Sequence, residues 1–172
     1  MRLALLLGSA LFAAQALLAA APLSAQPRCQ SSPPAISLYD PGPARETFPA
    51  VVRNAFTDGT APEHLTLSVH LPGTLTPDCP NGSIEPMRGI RDLGDGRYEG
   101  TVVHNSLSHH SHLFGETYSF TTDQIWDWQL VTPQTEGRFY GAFQSRRFAE
   151  TAPDGGGVMI SLMPDPIPAD WN

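Results

Sequence analysis

Lysine is absent from this chain, and cysteine is scarce. All ten basic residues among the 172 are arginine, and there are two cysteines, Cys29 and Cys79. Beyond residue 25, nine arginines stand against seventeen acidic residues, a formal charge of −8. Phosphate binding rests on Lys and Arg, so this balance argues against nucleic acid as a partner. It argues equally against anionic lipid. Cationic partners or plain solubility suit it better. Nucleophile and metalloprotease signatures are missing too: there is no G-x-S-x-G, no H-E-x-x-H and no S-x-x-K. "DGGGV" (154–158) lacks the Lys-Ser/Thr end of a phosphate loop and reads as a turn. No catalytic residue is assigned from these patterns.

Long apolar runs are missing everywhere except at the start. Met1-Arg2 is followed by a run from Leu3 to Ala21 broken by Gly8, Ser9 and Gln15, and then by "PLSAQP". This is the layout of a secretory signal peptide over residues 1–25, with cleavage expected near Ala25. An uncleaved membrane anchor is the alternative, because the run is near spanning length. The cleaved reading implies a periplasmic or secreted protein without stable membrane insertion. In such an oxidising compartment Cys29 and Cys79 are expected to form a disulfide. The loop of about fifty residues that it closes gives a chain-entropy gain of roughly 4 kcal/mol. Two unpaired thiols remain possible, since spacing cannot show that they meet. Cys29 is not a lipid anchor, because "QPR" before it is neither small nor apolar. The "NGS" sequon at 81–83 has meaning only in a host that glycosylates it.

What is present reads as one small domain. Residues 26–43 are a proline-rich arm. "ARETFPAVVRNAF" (44–56) predicts a helix with Phe48, Val52, Ala55 and Phe56 on one face. Thr47 is its expected cap, which leaves Pro49 in the tolerated first turn. "EHLTLSVHL" (63–71) alternates as a half-buried strand. "SIEPMRGIRDL" (83–93) is a strand that Pro86 should confine to an edge or bulge. "GDG" (94–96) marks a turn into the strand "RYEGTVVH" (97–104), and "GETYSFTT" (115–122) is its hairpin partner. "DQIWDWQLV" (123–131), the aromatic "GRFYGAFQSRR" (137–147) and "GGGVMISLM" (155–163) are further expected strands. Residues 164–172 form a proline-rich tail. The expected fold is α+β: one N-terminal helix packed on a largely antiparallel sheet of five to six strands, over residues 44–163.

Within this layout, Gly96, Gly100, Asn105, Gly115 and Phe120 precede an "I-W-D-W" of Ile125, Asp127 and Trp128. Gly137, Tyr140, Gly141, Phe143 and Arg146 then fill a "G-x-x-Y-G-x-F-x-x-R" pattern. Over residues 44–148 this series resembles the YegJ-like bacterial domain of unknown function. Glu85 falls where that family carries an acidic residue. The sequence departs from the family at "PMRGI" after Glu85, and at the loop after Asn105, which is usually short. The resemblance implies a bacterial source and a fold, and no reaction.

Two groups could carry chemistry. "HNSLSHHSH" (104–112) holds His104, His109, His110 and His112. Three of these imidazoles could converge on zinc, copper or nickel, with Glu116 orienting a ring. A solvated loop with incidental metal affinity and a pH-sensitive loop are the alternatives. Asp127 lies between two tryptophans and could be an acid–base carboxylate, paired with Glu85 in a binding site. The structural alternative has Asp127 accepting backbone amides at a turn, with one tryptophan in the core. No cofactor beyond that possible zinc or copper is implied. The functional expectation is an exported, non-enzymatic binding or interaction domain in the cell envelope, with a protein or small-molecule partner. A small metal-dependent hydrolase built on the histidine loop and an inhibitor or immunity-type protein are the alternatives.

Overall fold

The computed structural model of the protein describes residues 40–73, 82–103, 113–151 and 161–171. The expected signal peptide, most of the arm, both cysteines and the loop 104–112 lie outside these residues. Helix α1 (Gly42–Ala55) is followed by β1 (Leu65–Leu71), β2 (Ser83–Gly94), β3 (Arg97–Val102), β4 (Thr117–Thr121), β5 (Ile125–Leu130) and β6 (Tyr140–Gly141). A second helix, α2 (Phe143–Thr151), comes next. The six strands form one antiparallel sheet in the order β4-β3-β2-β1-β5-β6. This is the α+β fold expected from the sequence, with one long helix and one short one.

Strand β1 follows its alternation. Leu65, Leu67, Val69 and Leu71 are buried, and the residues between them are only partly covered. Asp95 and Gly96 both take left-handed conformations in the β2–β3 hairpin, as an Asp-Gly turn between two twisted strands requires. Pro86 departs from expectation, because β2 is an inner strand. The amide of Val103 donates to the Pro86 carbonyl at 2.9 Å, one residue past the end of β3. In an antiparallel strand the N–H and C=O of one residue point to the same side. The donor that Pro86 lacks would therefore face the place where β3 stops, and almost no ladder is lost. The bulge lies further on, between Arg88 and Arg91.

The sheet is strongly coiled. Only Thr122–Gln124 separate β4 from β5, which lies four places away. In a flat sheet that gap would be roughly 19 Å, whereas the four peptide steps from Thr121 to Ile125 reach at most roughly 14 Å. Two bonds secure the short link. The Thr122 amide donates to the Gly96 carbonyl at 3.2 Å, and the Gln124 side chain donates to the His70 carbonyl at 3.1 Å.

Helix α1 fills the apolar side of this coil. Ala44, Phe48 and Val51 are fully buried, while Val52, Ala55 and Phe56 pack at the margin. The buried stripe is thus rotated from the predicted one. Phe48 meets Tyr98 edge-on at 5.2 Å, and Tyr98 stacks on Phe120 at 5.8 Å. The helix also starts earlier than predicted, with Asp40 Oδ1 accepting the Gly42 amide at 2.8 Å. Pro43 then occupies the first turn, where a missing N–H has no consequence. Pro49 lies inside the helix, and Thr47 is an interior residue rather than a cap. Thr47 Oγ1 accepts the indole N–H of the fully buried Trp128 at 3.0 Å.

The segment 137–147 is the main departure from the predicted strands. Tyr140 and Gly141 pair with Leu130 and Gln129, and then the chain turns into α2. Gly141 and Ala142 have φ of +69° and +54°, two consecutive positive values that end the strand at Gly141. A Cβ on Gly141 would lie 2.1 Å from the Trp128 carbonyl oxygen, so glycine is required there.

The Trp128–Thr47 bond gives a direct test. Thr47→Ala leaves a buried indole N–H without an acceptor and should lower stability by about 1–2 kcal/mol. Thr47→Ser should recover most of the loss. Urea unfolding of the three proteins measures it.

Candidate functional site

Of the residues singled out from the sequence, His104, His109, His110 and His112 lie outside the described residues, as do Cys29 and Cys79. Glu85 and Asp127 are described, and both are buried, at 1% and 2% exposure. They do not form a pair. Glu85 lies opposite Val69, on the apolar face, whereas Asp127 lies opposite Ser68. Adjacent residues of a strand project from opposite faces, so the two carboxylates point to opposite sides of the sheet.

Asp127 ties β5 to α2. A bulge in β5 at Trp126 shifts the register, so that Ser68 faces Asp127 while Val69 faces Ile125. Asp127 Oδ1 accepts the amides of Trp128 at 2.8 Å and Phe143 at 3.0 Å. Its Oδ2 accepts the amide of Gln144 at 3.1 Å. Phe143 and Gln144 are the first two residues of α2, whose amides have no partner within the helix. Asp127 thus does from sixteen residues away what a local N-cap does. Burial is the strongest influence on its carboxyl and pushes the pKa up to about 6. The amides of Gln144, Phe143 and Trp128 and the charge of Arg146 pull it back down. The outcome is a carboxylate in the first turn of a helix, ionised at neutral pH and close to titrating.

Arg146, one helical turn further along, holds the other side of the junction. Its Nε donates to the Gly141 carbonyl at 2.7 Å, and one terminal nitrogen donates to the Met163 carbonyl at 2.9 Å. Longer contacts reach the carbonyls of Phe139, Pro164 and Asp165. Burial depresses its pKa, while Asp127, Asp165 and Glu150 oppose that shift. A guanidinium can serve this many carbonyls because its donors are fixed in a planar fork. The segment 161–171 is drawn onto the domain as a result. The Phe139 amide donates to Ser161 and the Gly141 amide to Pro166, and Ile167 and Trp171 pack against the core.

Glu85 lies among apolar side chains near the end of the sheet from which residues 104–112 depart. Its Oε1 accepts the Ser83 hydroxyl at 2.7 Å, and its Oε2 has no hydrogen-bond partner among the described residues. A carboxylate placed in this way can accept one further hydrogen bond. Among the described residues no three His, Cys, Asp or Glu side chains are grouped to hold a metal ion. No helix among them is long and apolar enough to cross a membrane.

Sequence reasoning gave Arg146 no role beyond its place in the resembling motif. Gly141 likewise had only its place in that motif, and Ala142 and Gln144 carried no signal of their own. The "W-D-W" and "Y-G-x-F-x-x-R" stretches matter as one unit, because each supplies half of the same junction. No protein-family model, no curated protein and no solved structure matches this chain.

Two outcomes follow for Asp127. Asp127→Ala orphans the first amides of α2 and should cost about 2–3 kcal/mol of stability at pH 7, measured by urea unfolding. The pH dependence has a definite sign. The folded pKa lies above the ordinary value, so the folded state binds the extra proton between pH 4 and 6. The contribution of this group to stability is therefore complete below pH 4 and declines as the pH rises through 6. Relative to Asp127→Asn, the native chain should lose roughly 2 kcal/mol between pH 4 and pH 7. Parallel stability curves for the two proteins would contradict the assignment.

Proposed function

We propose that this chain is an exported, non-enzymatic binding domain of the cell envelope, of the YegJ-like kind, acting on a protein or small-molecule partner outside the cytoplasm. The observation that carries the reading is the way both candidate carboxylates are built into the architecture. Asp127 accepts three amides at a strand–helix junction, and Glu85 is enclosed on the apolar face. What the domain offers a partner is its surface. Phe114, two residues after the histidine-rich stretch, is 57% exposed, and Phe148 on α2 is 44% exposed. Aromatic side chains at a surface are the residues that anchor protein contacts. The formal charge of −8 after residue 25 favours a partner with a cationic surface. Export rests on the apolar start of the chain, and the Cys29–Cys79 disulfide belongs to the same reading. An inhibitor or immunity-type role is one form such binding could take.

The test is made in the native compartment. A photo-crosslinking residue at position 114 should capture one defined partner, and the yield should fall with added salt. N-terminal sequencing of the exported form should begin near Gln26. Stoichiometric zinc or copper on untagged protein, lost in His110→Ala and His112→Ala, would overturn the reading in favour of a metal-dependent hydrolase.

A further inference from the structure

The two edges of the sheet are treated differently. At the β6 edge the chain covers itself: the amides of Phe139 and Gly141 donate to Ser161 and Pro166 at 3.0 and 2.7 Å, and the Met163 amide donates back to Phe139 at 3.0 Å. At the opposite edge lies β4. The Val102 amide donates to the Glu116 carbonyl and the Thr122 amide to the Gly96 carbonyl, so the even-numbered residues of β4 face β3. Thr117, Ser119 and Thr121 therefore turn their backbone groups outward. The Thr121 amide is taken by the side chain of Gln124 at 3.0 Å. The outward groups of Thr117 and Ser119 have no backbone or side-chain partner among the described residues. Both residues are exposed.

Edges of this kind are normally blunted by proline or by charge. The strand itself, "TYSFT", has neither; Glu116 and Asp123 stand only outside its ends. Its sequence is also self-complementary. Laid antiparallel on a copy of itself with Ser119 at the centre, Thr117 meets Thr121, Tyr118 meets Phe120 and Ser119 meets Ser119. Thr–Thr and aromatic–aromatic pairs are among the favourable cross-strand combinations. The outward N–H and C=O of Ser119 would be satisfied reciprocally, and the Thr117 amide would find the Thr121 carbonyl. Tyr118 is half-buried and would gain cover.

We propose that β4 is a homotypic docking edge, on which the Thr117–Thr121 strand of a second copy of this chain pairs antiparallel about Ser119. The inference does not rest on the function proposed above. The interface is small and belongs to the weak, transient class. The two copies carry the same negative charge, so screening should strengthen their association. A cationic partner would show the opposite dependence.

Sedimentation of the mature protein over a concentration series, at low and high salt, tests the proposal. A monomer–dimer equilibrium that tightens with salt is expected. Amide exchange at Ser119 and Thr117 should slow as concentration rises, while exchange at Tyr118 stays unchanged. Ser119→Lys sets two like charges opposite each other and should weaken the dimer by at least about tenfold. Ser119→Pro removes an outward donor that no strand of the same chain uses, and should do the same. Circular dichroism confirms that each variant is folded, and the lysine variant stands if the proline variant is not. A chain that stays monomeric at millimolar concentration overturns the proposal. So does a dimer indifferent to Ser119→Lys, or an edge that takes only an extended peptide of another protein.

Discussion

The carboxylate of Asp127 is the constraint on which the second half of the fold depends. A helix of nine residues starting directly after a left-handed turn has little stability of its own. Its first amides need an acceptor, and no residue next to them supplies one. Asp127 reaches them from the neighbouring strand because the bulge at Trp126 sets it on the face opposite the core. Once α2 is fixed, Arg146 is fixed with it, and the carbonyls around Arg146 hold the segment that covers the β6 edge. The strand, the turn, the helix and the covering tail thus form a single chain of dependencies. The junction also holds two costly features. The carboxylate is buried, and Ala142 occupies a left-handed conformation unusual for any residue but glycine. Both persist because the surrounding bonds determine them.

Local signals explain what was legible in the sequence. The alternation of Leu65, Leu67, Val69 and Leu71 depends only on the period of a strand, and the structure reproduces it. Asp95-Gly96 sets its hairpin through the conformations those two residues tolerate. Pro86 misled because the rule about proline concerns the missing donor, and here the donor's side faces the end of β3. Segment 137–147 looked like a strand because of Tyr140 and Phe143. What decided its fate was a bond to Asp127, sixteen residues away, which leaves no mark on local periodicity. One reading of the sequence had Asp127 accepting backbone amides at a turn. The sequence could not show that those amides open a helix, nor that Glu85 would lie on the other face of the sheet.

Coiling of the sheet follows from one short link. Three residues between β4 and β5 cannot bridge a flat sheet, so the strands must curve until Thr122 meets Gly96 and Gln124 meets His70. That curvature wraps the apolar faces of β1, β3 and β5 around α1 and buries Phe48, Tyr98, Phe120 and Trp128 together. It also leaves two unlike edges: β6 is covered by the chain's own tail, while β4 keeps outward backbone groups.

The absence of lysine acquires a meaning from the way the arginines are used. Arg45 donates to the carbonyl of Ile125, Arg138 to that of Thr135, and Arg146 to those of Gly141 and Met163. These are contacts for a planar fork, which an ammonium group cannot reproduce with the same geometry. These three guanidinium groups thus work on the backbone rather than on carboxylates. Only two ion pairs, Arg91–Glu99 and Arg147–Glu150, occur among the described residues, and both involve exposed side chains. Such pairs contribute little to stability. The excess of acidic residues is therefore left largely uncompensated within the domain. Its negative field is available to solvent and to partners, which connects the composition of the chain directly to the kind of surface that it presents.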